Sequence, residues 1–173
     1  PNTNRECMSH YRTLTHTSVV YKIWAKYRCP QLGPIFKPWA MDGPTTGGPG
    51  HGAVDGHYAL AIRLGHAIIH QHPFADGATG LSQCVACIPR QQIYPIAIKA
   101  GIPPKTILAY ARHARNIIYT NHCPTGYGRT RNRTCSITQG CPWAMGYLAI
   151  ISHPWVLKME AMNIIPRVLA DDL

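Results

Sequence analysis

"SITQGCPWAMGYLAIISHPWVLKM", residues 136–159, is the stretch on which the fold turns. Gln139, Gly140 and Pro142 have the composition of a tight turn, because glycine reaches positive φ freely and proline pre-sets its own φ. The residues that follow are almost all apolar, which predicts a long buried helix. Pro154 is expected to interrupt it, since proline lacks the N–H donor and its ring crowds the preceding turn. Beyond that helix the chain reads "PRVLADDL" (166–173), where Arg167 to Ala170 predict the start of a strand and Asp171 and Asp172 follow directly.

Upstream lies "GYGRTRNRT" (126–134), in which Arg129, Arg131 and Arg133 follow Tyr127. Closely spaced arginines beside an aromatic ring suit the backbone of a nucleic acid, whereas the plain alternative is an ordinary exposed hairpin. "IPPKTILAYARHARNII" (102–118) predicts a helix starting on Pro103 and Pro104, and Gln91 to Ala100 predict another that Gly101 closes despite Pro95. The uncharged run "GLSQCVACI" (80–88) predicts a buried strand stopped by Pro89.

Nearer the start, "SVVYKIWAKYR" (18–28) predicts an amphipathic helix begun by Ser18. Val19, Val20, Ile23, Trp24 and Tyr27 form its apolar side, and Lys22, Lys26 and Arg28 lie between them. The Gly/Pro-dense "MDGPTTGGPGHG" (41–52) separates it from a second helical pattern through Leu60, Leu64, Ala67 and Ile68. Helices and strands are interspersed, so the expected class is α+β.

A chain of 173 residues suits one domain, or a piece of one. Seventeen Lys and Arg against seven Asp and Glu give a formal charge of +10, which favours a polyanionic partner. No apolar run approaches the ~20 residues of a membrane span. No basic start followed by an apolar core marks a secretory signal. Seven irregularly spaced cysteines fit free thiols in a reducing, intracellular compartment better than a disulfide framework. The chain opens on Pro1 and closes just after the acidic pair, which suggests an excerpt of a longer protein.

"TQGCPWAM" (138–145) followed by "RVLADDL" (167–173) resembles the reverse transcriptases of non-LTR retrotransposons. In that family a Gln-Gly-x-Pro turn opens the helix that positions template and incoming nucleotide, and an x-Ala-Asp-Asp hairpin holds metal ions. Gln139, Gly140 and Pro142 match the first motif, and Ala170, Asp171 and Asp172 match the second. "YRTLTHTSVVYKIWAKYRCPQL" (11–32) resembles the family's fingers segment, with Thr13 standing where proline is usual. "GGPGHG" (47–52) resembles its glycine-rich connection. Leu81, Ser82, Ile88, Pro89 and Arg90 align with the segment that bears the first catalytic aspartate, so the similarity covers nearly the whole chain.

The resemblance implies a right-hand polymerase of α+β class, with residues 1–75 fingers-like and 76–173 a partial palm, truncated before the thumb. It implies RNA-directed DNA polymerisation by a two-metal mechanism, with Asp171 and Asp172 as catalytic ligands of Mg²⁺, for which Mn²⁺ can substitute. Arg12, Lys22, Gln139, Gly140 and Pro142 would meet nucleotide and template, and the partners would be an RNA or DNA template-primer and deoxynucleotide triphosphates, with no membrane.

The same alignment places the family's first aspartate on Gly80, its second on Ala86, and the aromatic residue that excludes the ribose 2′-hydroxyl on Val85. Asp76 lies four residues before Gly80, and four residues along a strand move a side chain by about 13 Å. Two adjacent carboxylates without a partner across the ion pair do not arrange in-line attack. Impaired catalysis is therefore expected, and a non-catalytic nucleic-acid-binding remnant is the alternative. Pro95 and Pro154 inside expected helices raise a third reading, a product without a stable fold.

Three further constellations are weaker. His66, His70 and His72 include the i, i+4 spacing that ligates zinc from one helix face, but no Glu adjoins His66 and no distant ligand is evident, so solvated histidines are the preferred reading. Cys84-x-x-Cys87 is half of a zinc or redox motif with no second half at finger spacing. "HQHPFADG" (70–77) resembles the opening of the Fic AMP-transferase motif, but Ala78, Thr79 and Gly80 follow and the expected Asn and Arg are missing.

Overall fold

A computed structural model describes residues 17–39, 53–77, 87–123, 126–138, 140–166 and 168. Along them run the helices α1 (Val19–Phe36), α2 (Ala53–Ile69), α3 (Arg90–Lys99) and α4 (Pro104–Asn116), an antiparallel pair of β1 (Ile118–Cys123) and β2 (Gly126–Asn132), and the helix α5 (Ala144–Ala161). Most of the strand expected over 80–88 lies outside the described residues. At its described end Cys87 and Ile88 belong to no strand, and Pro89 makes a single antiparallel bridge to Cys135. Of the strand expected at 167–170 only Val168 is described, and it is buried.

The core forms where α1, α3, α4 and α5 meet. Tyr21, Ala25 and Leu32 enter from α1, Ile93 and Ala97 from α3, Ile107, Tyr110 and Ala114 from α4, and Tyr147 and Ile150 from α5. Each of the buried Leu and Ile side chains contributes about 1.5–3 kcal/mol. At the centre stands an aromatic cluster: Trp143 packs against Trp24 with ring centroids 5.0 Å apart, and Tyr110 lies 5.3 Å from Tyr147 and 5.7 Å from Trp143. The indole N–H of Trp143 donates to the Ala25 carbonyl at 3.0 Å, which satisfies the polar edge of a buried ring.

α1 corrects the expected apolar face. Val19, Val20, Ile23 and Tyr27 are exposed, and the buried residues are Tyr21, Ala25 and Leu32, with Trp24, Cys29, Ile35 and Phe36 packed partly against them. Apolar residues surround this helix on every side, so hydropathy does not select a face. Hydrogen bonds do: the Ala25 carbonyl meets Trp143, and the Tyr21 hydroxyl lies 2.8 Å from the Cys141 sulfur.

Pro154 corrects a second expectation, whereas the helix through Pro95 is as expected. α5 runs unbroken through Pro154, α3 through Pro95, and α1 through Pro30 and Pro34. All four are exposed. On a solvent face the pyrrolidine ring displaces no core side chain. α3 ends as expected: Gly101, at φ +102°, sends its N–H to Ile98, and the Ile102 N–H reaches back to Ala97.

Candidate nucleic-acid interface

The basic segment forms strand β2 of the hairpin, whose residues from Tyr127 to Asn132 are all exposed. Pairing runs from Ile118 with Asn132 through Tyr119 with Arg131 to Thr120 with Thr130, and then shifts: His122 pairs with Tyr127. Two steps along β1 thus match three along β2, so β2 carries an extra residue opposite Asn121. Gly128 sits at this bulge, where an added Cβ would stand 3.6 Å from the Cβ and the carbonyl oxygen of Asn121.

The extra residue decides which side chains share a face. In a regular strand Tyr127, Arg129 and Arg131 would all point one way. The bulge reverses that parity between Tyr127 and Arg129. Arg131 lies opposite Tyr119, and Arg129 and Arg133 follow it at alternate positions, so the three arginines share a face with Tyr119. Tyr127 falls on the other face beside His122, with ring centroids 4.7 Å apart. Tyr119, and not the Tyr127 that precedes them in sequence, is therefore the tyrosine on the arginine face, because one inserted residue flips every side chain beyond it.

Tyr119 is fixed from both sides. The Arg133 guanidinium lies over its ring, 5.0 Å from the centroid, and its hydroxyl accepts a hydrogen bond from Arg90 at 3.3 Å. Arg90 is buried at 4% exposure and donates to the carbonyls of Ser136 and Ala114. Arg133 is thereby held in place, whereas Arg129 and Arg131 extend into solvent.

Of the other expected contacts, Gly140 and Pro142 flank Cys141 in the turn that opens α5. The Cys141 N–H donates to the Thr138 carbonyl at 2.9 Å, and Gly140 has φ +77°. Tyr21 reaches Cys141 from α1, while the next residue, Lys22, is half-buried. Burial pushes the Tyr21 phenol and the Cys141 thiol above their ordinary pKa ranges, so both stay protonated and uncharged. Arg12, Gln139, Asp171 and Asp172 lie outside the described residues, as do Gly80 and Ala86.

Among the described residues, no group of three or more His, Cys, Asp or Glu could hold a metal ion, and Cys29, Cys87, Cys135 and Cys141 are free thiols. No described helix is long and apolar enough to cross a membrane. Sequence reasoning missed Tyr119 and the role of Arg90. Pairing register is not written in a single strand's composition, and a buried arginine looks like any other basic residue until its partners are known. No family model, curated protein or solved structure matches the chain.

Proposed function

We propose that this chain binds the phosphate backbone of nucleic acid through the arginine face of its hairpin and does not itself extend a primer. The observation that carries the reading is the placement of Arg129, Arg131 and Arg133 on one face of an exposed hairpin, beside a tyrosine that holds one of them. Alternate residues of a strand stand about 6.6–6.8 Å apart, so Arg129 and Arg131, with Arg133 just past the strand end, present arginines suited to successive phosphates. The formal charge of +10 adds long-range attraction to a polyanion. The resemblance to retrotransposon reverse transcriptases supports the same partner class.

Titration of labelled single-stranded RNA over a salt series tests this. Affinity falls with salt, and the triple change of Arg129, Arg131 and Arg133 to alanine flattens the slope by about 2, because each phosphate no longer neutralised removes roughly 0.7. Unchanged affinity and slope in the triple variant would sink the proposal.

Template-directed nucleotidyl transfer is the second reading, favoured by the Gln-Gly-Cys-Pro turn and the terminal Asp171 and Asp172. It needs a facing carboxylate, and Gly80 and Ala86 supply none. Primer extension with Mg²⁺ or Mn²⁺ separates the two readings: binding without incorporation selects the first, and template-dependent incorporation selects the second.

A further inference from the structure

Three hydroxyls in the core have no hydrogen-bond partner among the described residues: those of Tyr110 on α4, Tyr147 on α5, and Thr138 just before the turn that opens α5. None of the three residues is more than 1% exposed. Burial strips a hydroxyl of its water, so a buried one is nearly always paired again, with protein or with ordered solvent. The three stand in one region of the core. The Tyr110 and Tyr147 rings pack with centroids 5.3 Å apart. The Thr138 carbonyl accepts from the Cys141 N–H at 2.9 Å, the Cys141 sulfur lies 2.8 Å from the Tyr21 hydroxyl, and the Tyr21 ring is 6.5 Å from that of Tyr110. Burial raises the phenol pKa of Tyr110 and of Tyr147; next come Cys141 for Tyr110 and Tyr110 for Tyr147, and the Thr138 N–H acts on Tyr110 as well. Influences of this kind pass between neighbours.

We propose that an ordered internal water bridges the hydroxyls of Tyr110, Tyr147 and Thr138, joining α4, α5 and the segment between the hairpin and α5. The phenols cannot pair by moving toward one another. A phenol oxygen lies on the axis of its ring and moves only with it, and the Tyr110 ring is packed among those of Tyr21, Tyr94, Trp143 and Tyr147. The Cys141 sulfur is already engaged by the Tyr21 hydroxyl and the Trp143 N–H. A buried water makes about three hydrogen bonds. Its two donors and two acceptors match three hydroxyls, each of which can donate or accept. Both phenols stay protonated in the fold, so the site is neutral and suits a neutral ligand of this size rather than an ion. It is independent of the hairpin and its arginines.

Urea unfolding of Tyr110→Phe, Tyr147→Phe and Thr138→Val, each of which removes a hydroxyl and keeps the side chain's shape, tests the assignment. A bridged hydroxyl stabilises the fold and an unpartnered one destabilises it, so the sign of the change decides. Each single variant is expected to raise the unfolded-to-folded ratio about 2–10-fold, the worth of one hydrogen bond. Tyr110→Phe and Tyr147→Phe together cost less than the two added, because the second change acts on a water already weakened. Tyr27→Phe, on an exposed ring, leaves the ratio unchanged. A crystal structure of the unaltered chain is expected to show solvent density about 2.7–2.8 Å from all three oxygens. Single variants at least as stable as the parent, strict additivity in the double variant, or a crystal structure in which the three hydroxyls bond to protein groups instead would each overturn it.

Discussion

The buried guanidinium of Arg90 donates through Nε to the Ser136 carbonyl at 2.7 Å, and this bond joins the start of α3 to the segment that leaves the hairpin. The same side chain caps α4 by donating to Ala114, where the helix dipole favours a cation, and reaches Tyr119 on β1. The Ser136 N–H returns a bond to Ile88 at 2.9 Å, and Pro89 bridges to Cys135. The Ile88-Pro89-Arg90 triplet is thus a joint between α3, α4 and the hairpin.

Arg90→Lys keeps the charge but loses the planar fork that serves several acceptors at once. Hydrogen bonds to charged groups are worth about 1.5–3 kcal/mol each, so the substitution is expected to destabilise by on the order of 3 kcal/mol, read by urea unfolding. A loss no larger than that of an exposed Arg129→Lys control would refute the role of Arg90 as a joint.

Gly146 on α5 admits the Phe36 ring of α1 so closely that an added Cβ would stand 2.6 Å from three of its atoms. Gly146→Ala forces the Phe36 ring or one of the two helices to shift. Overpacking of this kind costs about 1–3 kcal/mol, and Phe36→Ala in the same chain should recover part of it. Simple additivity of the two changes would show that the two residues do not press on each other.

Pro154→Ala tests the exposed helix prolines. Proline in a helix interior is about 3 kcal/mol worse than alanine, and the exposed position leaves the core intact. The variant should therefore be more stable than the parent, by up to that amount, with a higher thermal midpoint. A neutral or destabilised variant would mean that Pro154 itself is needed for packing.

His113 stacks on Tyr21 at 3.9 Å with planes 4° apart. Burial, and secondarily the Arg90 charge, lower its pKa in the fold. The unfolded chain then binds more protons between the folded value and the ordinary one, about 6.5. This contribution to stability is complete above the ordinary value and is lost as pH falls through it toward the folded value. Unfolding measured from about pH 8 to about pH 5 should show that loss, reduced in His113→Gln. An identical pH profile in the variant would exclude His113 as its source.

The sequence by itself placed the helices at Arg90–Lys99 and Pro104–Asn116, because Pro103, Pro104 and Gly101 act locally and need no partner. It placed the turn at Gly140 and Pro142 for the same reason, and it picked out the three arginines. Tertiary structure decided the rest. Which side of α1 is buried depended on Cys141 and Trp143, more than a hundred residues away. Which tyrosine accompanies the arginines depended on one extra residue in a pairing register. Both are choices between nearly equal local alternatives, and interactions between residues distant in sequence tip the balance.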